Sequence, residues 1–163
     1  MNEDTTTETS PNELDTIGEL APTSTTTVYE RFDSLGSTAQ TVVREIATAM
    51  GFDREEYNDR ITSEVVEAAR ETLFAERLAV RVASQDEFEQ WVDSHPAVDV
   101  EQMGSPNVDR VAWHHAPFSD AVIAATFQNE QAAAVSTLRR RSFGEIYRPV
   151  LEDESSDKTD SQE

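Results

Sequence analysis

Two histidines stand side by side in Trp113-His114-His115, and two carboxylates, Asp109 and Asp120, flank them closely in the chain. Imidazole and carboxylate groups supply acid–base chemistry near neutral pH and are common metal ligands. The segment Val108 to His115 alternates apolar and polar residues, so a strand is expected, with Val111, Trp113 and His115 on one face. Adjacent strand residues point to opposite faces. On a regular strand His114 and His115 therefore cannot hold one metal ion together. Asp109 falls on the His115 face, and Asp120 could reach either histidine across the following turn. One histidine with one carboxylate is below the three protein ligands of a zinc site. His95 is too remote in sequence to place. No metal, no cofactor and no catalytic residue is assigned. The plain expectation is one packed and one exposed histidine at a strand end.

The second constellation is Arg139-Arg140-Arg141, with Arg148 beyond it. It is the one basic concentration in a chain of 33 acidic and 13 basic residues. On a helical projection Val135, Leu138, Ser142, Phe143, Ile146 and Tyr147 define an apolar arc, and Arg139 falls inside it. Arg141 and Arg148 lie together on the opposite side, and Arg141 can pair with Glu145 one turn on. A buried guanidinium needs a carboxylate or a carbonyl. An internal pair is the expected solution for Arg139, ahead of the domain edge, an anionic ligand or a partner chain. The ligand or partner candidates are thus Arg139, Arg140, Arg141, Arg148, His114, His115 and Asp120.

No GxGxxG, Walker A, GxSxG or HExxH pattern occurs, and the five glycines do not cluster into a phosphate-cradling loop. A site assembled from distant residues leaves no such trace, so an enzyme is not excluded. Residues 47–60 faintly suggest a helix-turn-helix. Its second helix would carry Asp53, Glu55, Glu56 and Asp59 against Arg54 and Arg60. Phosphate contacts need the opposite balance, so nucleic acid is disfavoured as a partner.

The elements that must position these groups follow from periodicity. Val28, Phe32, Leu35, Ala39, Val42, Val43, Ile46 and Met50 form a helical stripe, with a break or kink expected at Gly36 and Gly51 suited to end it. Asp53 can cap a short helix, and Thr62 or Ser63 can cap the next, whose apolar face is Val65, Val66, Ala69, Leu73 and Phe74. Leu78 to Val82 alternates as a strand. Ser84 to Glu87 fits a capping box opening a helix with Phe88, Trp91 and Val92, ended by His95-Pro96. Val98 to Met103 is a weaker strand, and Ala121 to Phe127 is apolar on both faces, as a central strand would be. A last helix runs from about Asn129 to Tyr147. The expected fold is α+β: N-terminal helices, then β-α-β-β-β-α, giving a small, mostly antiparallel sheet covered by helices.

Charge sets the boundaries. Residues 1–27 hold six acids and no base, and 152–163 hold six acids and Lys158, leaving 21 acids and 12 arginines for 28–151. Such tails cannot bury enough apolar surface to offset ordering, so 1–27 and 152–163 are expected as disordered acidic tails around one domain, 28–151. Leu14, Ile17 and Leu20 are isolated apolar residues in the first tail, with no role expected.

The net charge of -20 repels other polyanions. Lys158 is the sole lysine, and cysteine is absent. Carboxylates and short polar side chains keep a surface hydrated where concentrated salt screens their repulsion. Without a basic n-region, an apolar signal core or a long apolar run, a cytoplasmic protein of a salt-adapted cell is expected. The segments AMGFDREEYNDRIT (49–62), RVAWHHAP (110–117), VIAATFQNE (122–130) and TLRRRSFGEIYR (137–148) resemble a small haloarchaeal family of unknown function. That resemblance implies one continuous domain and brings no activity or site residues.

Two readings of function follow. The first is a non-catalytic interaction or regulatory module, with a protein partner or self-association. The alternative is a small ligand-binding protein or enzyme using the 109–120 hairpin with Arg139. A nucleic-acid binder is third, and no membrane is expected.

Overall fold

Local capping chemistry starts most of the helices. The computed structural model describes residues 15–153. Ser24 accepts a hydrogen bond from the Thr27 amide and opens α1 (Thr25–Ser34). The chain breaks at Leu35, and α2 (Gly36–Ala49) follows at once, so the long stripe is two helices. Gly51, at φ +76°, turns the chain out of α2 in a conformation that L side chains adopt rarely. A capping box between Asp53 and Glu56 starts α3 (Arg54–Arg60), and Thr62 caps α4 (Ser63–Glu76). The same reciprocal bonding between Ser84 and Glu87 starts α5 (Gln85–Asp93). The last helix, α6 (Gln131–Ser142), widens into a π-helical turn over Phe143–Tyr147 and continues as helix to Asp153.

The strands are β1 (Asp15–Ile17), β2 (Val80–Ser84), β3 (Asp99–Met103), β4 (Arg110–Ala116) and β5 (Ala121–Phe127). They form one sheet in the order β1-β2-β4-β5-β3. Three pairings are antiparallel, and β3 alone runs parallel to its neighbour β5. The α+β expectation and the mostly antiparallel sheet therefore hold.

The boundary of the N-terminal tail does not. Residues 15–24, assigned to the tail, supply β1 and the buried Leu20. Leu20 is 3 % exposed and also exchanges backbone bonds with Arg77 and Ala79, while Ile17 packs against the core. A three-residue strand carries no readable periodicity, and so the composition of its surroundings misled. Residues 1–14 and 154–163, including Leu14, lie outside the described residues.

Alternation splits the core into two layers. Val80, Val82, Ala112, Ile123 and Ala125 face α1, α4 and α6, meeting Val28, Phe32, Phe74, Leu138, Phe143 and Tyr147. Ala83, Val111, Trp113, Val122 and Ala124 face the other way, where α5 covers them with Phe88 and Trp91. The first layer surrounds a web of aromatic edges, with Phe74 at 5.7 Å from Phe143 and 5.2 Å from Tyr147 between ring centres. Such pairs add about 0.5–1.5 kcal/mol each beyond the area they bury.

The helices α2 and α3 stand apart from both layers. α2 packs mainly on α4, burying Ala39, Val43 and Ala47, and α3 buries no residue. Ile46 and Met50, part of the expected helical stripe, are 53 % and 64 % exposed. The stripe was wider than the one neighbouring helix could cover.

Candidate functional site

The hairpin β4–β5 sends its two histidines to opposite faces, as the strand period requires. His114 is fully buried beneath α6. Its Nδ1 lies 2.7 Å from the Ala79 carbonyl and its Nε2 2.7 Å from the Tyr147 hydroxyl. A carbonyl only accepts, so Nδ1 carries the hydrogen. Nε2 is then the acceptor, and the Tyr147 hydroxyl donates to it. Burial pulls the His114 pKa down to about 4, against the opposing pull of the Ala79 bond. Burial likewise raises the Tyr147 pKa. His114 is thus a neutral structural imidazole with both ring nitrogens in use.

His115 belongs to the α5 face. Its Nε2 is buried without a hydrogen-bond partner, and the nearest carboxylate oxygen, Asp120 Oδ1, is 3.6 Å away. That distance suits an ion pair and is too long for a hydrogen bond. Asp120 holds the turn in the left-handed region, φ +58°, with its amide bonded to Ala116 and its carbonyl to the Asp99 amide. Burial is the main cause that lowers the His115 pKa, and Asp120 opposes it.

The helix α5 brings the groups that sequence spacing could not place. Trp91 stacks on His95 with ring centres 4.1 Å apart and meets His115 edge-on at 5.2 Å. His95 and His115 lie 5.8 Å apart. The His95 Nδ1 donates to the Trp91 carbonyl at 2.7 Å. From β2, the Arg81 guanidinium sits 5.5 Å from the Trp91 ring centre. Burial lowers the Arg81 pKa, and none of the described residues gives that guanidinium a hydrogen bond or ion pair. The Asp109 carbonyl accepts from the Gln85 amide.

The arginines of α6 face their own chain. Arg139 is 8 % exposed and donates through Nε to the Leu78 carbonyl at 3.0 Å and through Nη2 to the Ile17 carbonyl at 3.1 Å. Glu76 lies 3.8 Å from its Nη1. Arg139 therefore clamps the end of β1 to the residues entering β2. Arg141 pairs with Glu145 and, at 2.9 Å, with Glu101 on β3. Arg148 pairs with Glu71 of α4 at 3.0 Å and lies over the Phe143 ring. Arg140 is exposed and donates to the Ser136 hydroxyl.

The seven candidates thus fall into three places. His114 and Arg139 lie in the layer under α6, joined to backbone. His115 and Asp120 lie together on the α5 face. Arg140, Arg141 and Arg148 lie on the outer surface. The hairpin and Arg139 do not form one site, because the sheet separates His115 and Asp120 from Arg139.

A family model matches residues 19–148, from just before Leu20 to Arg148. The chain belongs to the DUF5809 family of unknown function. The DUF5809 span takes in all seven candidates, the α5 cluster and the α2–α4 helices, and it omits β1. No curated protein and no solved structure matches the chain. Among the described residues no cluster of three metal-ligating side chains occurs, and no helix is long and apolar enough to cross a membrane.

Proposed function

We propose that this DUF5809 domain is a non-catalytic interaction module that associates with a second copy of itself through the exposed apolar face of α2. One observation carries the reading: Ile46 and Met50, one helical turn apart, are 53 % and 64 % exposed on a helix whose other face is already packed. Val42 is half-buried beside them. A two-fold axis lets one such stripe cover itself and asks for no second chemistry.

Size and charge set the strength. Helices of 14 residues are about 21 Å long and about 10 Å wide. The α2–α4 pair therefore offers about 400 Å² to a partner, half of the roughly 800 Å² per partner in a standard stable interface. Residues 36–70 carry seven acids and four arginines, so two copies repel at low salt. The association is weak and reversible, and salt strengthens it by screening that repulsion and by favouring apolar burial.

The single lysine, the net charge of -20 and the resemblance of four segments to a haloarchaeal family support the cytoplasm of a salt-accumulating halophile as its setting. Light scattering tests the reading. The wild type gains mass with concentration in molar KCl, and Ile46→Asp stays monomeric. Equal mass for both proteins at every concentration would reject it.

A further inference from the structure

The α5 face holds buried nitrogens that no described residue satisfies with a hydrogen bond. Arg81 on β2 and Trp113 on β4 are register partners, and His115 follows Trp113 on the same face. Trp113 is fully buried, and its indole Nε1 has no hydrogen-bond partner. The buried Nε2 of His115 has none either. Among the described residues the half-buried Arg81 guanidinium also has no hydrogen bond or ion pair. Trp91 joins them, lying 5.5 Å from Arg81, 5.6 Å from Trp113 and 5.2 Å from His115. The Asp120 carboxylate stops at 3.6 Å from His115. Buried polar groups normally find partners, and orphaned ones mark a strained or functional place.

We propose that this cluster is an oxyanion site, taking a carboxylate or phosphate group whose oxygens accept from Arg81, His115 and Trp113. Donor chemistry decides the class. An indole N–H and a guanidinium offer only hydrogens, which rules them out as metal ligands and suits them to oxygen acceptors. A guanidinium also matches the fork of a carboxylate or phosphate. Arg81 and Asp120 are both partly exposed, so the cluster reaches solvent. This site is separate from the α2 face, and the failure of either proposal leaves the other standing.

The test uses the full chain at constant ionic strength in KCl. Inorganic phosphate and, in parallel, acetate and succinate replace chloride while tryptophan emission is followed. Trp91 and Trp113 are the two tryptophans of the chain, and both lie in the cluster. A saturable change is expected with at least one anion, and the anion that saturates names the oxyanion. Arg81→Gln should raise the half-saturation concentration at least tenfold. Arg81→Lys, which keeps the charge and loses the fork, should raise it by a smaller factor, and it serves if the glutamine variant does not fold. A linear response shared by all anions would overturn the proposal. So would an unchanged half-saturation in a folded Arg81 variant.

Discussion

Tyr147 donates its hydroxyl hydrogen to Nε2 of His114 at 2.7 Å, and this bond ties the last helix to the centre of the sheet. The π-helical turn over Phe143–Tyr147 keeps Phe143, Ile146 and Tyr147 all buried. Removing the hydroxyl strands a buried imidazole nitrogen. Tyr147→Phe is expected to lower stability by about 1–3 kcal/mol, the usual cost of an orphaned buried acceptor. Chemical denaturation at pH 7.5 measures it, with little change in the denaturant slope.

His114 also gives stability a pH dependence of known sign. Its folded pKa, about 4, is depressed below the ordinary 6.5. Between these values the unfolded chain binds the proton that the folded chain refuses. The contribution is full above pH 6.5 and is lost as pH falls toward 4. A shift of this size corresponds to about 3 kcal/mol. Denaturation midpoints taken from pH 7.5 to 4 should fall, and His114→Gln should flatten that slope. An equal slope in both proteins would assign the loss to other groups.

Gly18 and Arg139 should behave as one unit. Gly18 has φ +86°, and a Cβ there would stand 2.6 Å from the Arg139 Nη2 and 2.7 Å from the Leu78 carbonyl oxygen. Gly18→Ala would both strain the backbone and displace the clamp. Arg139→Ala would leave the Ile17 and Leu78 carbonyls without that donor. Each is expected to cost about 1–3 kcal/mol, and the double variant less than their sum. Hydrogen exchange should show β1 losing protection first in every variant.

What the sequence disclosed was local. The Ser84–Glu87 capping box, the Gly51 stop, the limits of β5 and the opposite faces of His114 and His115 each depend on neighbours in the chain, and each was legible. So was the need of Arg139 for an internal partner, since its place in the apolar arc required one. The identity of that partner was not, because backbone carbonyls leave no signature in a sequence. Nor was the α5 cluster: Trp91 and His95 meet His115, and Trp91 meets Arg81, only after α5 folds over one face of the sheet. The exposure of Ile46 and Met50 was hidden for the same reason. Periodicity marks an apolar stripe without saying whether a second element arrives to cover it.

Exposed Ile46 should be replaceable at little cost to the monomer. Ile46→Asp is expected to shift folding stability by no more than about 0.5 kcal/mol, as surface substitutions usually do. Denaturation at low protein concentration checks this, and it separates loss of association from loss of fold.

Sedimentation equilibrium of the full chain between 0.2 and 3 M KCl tests the self-association most directly. Partial dimer formation that increases with both salt and protein concentration, and that Ile46→Asp abolishes, is the predicted result. A single monomeric species for the wild type at every salt and concentration would contradict it.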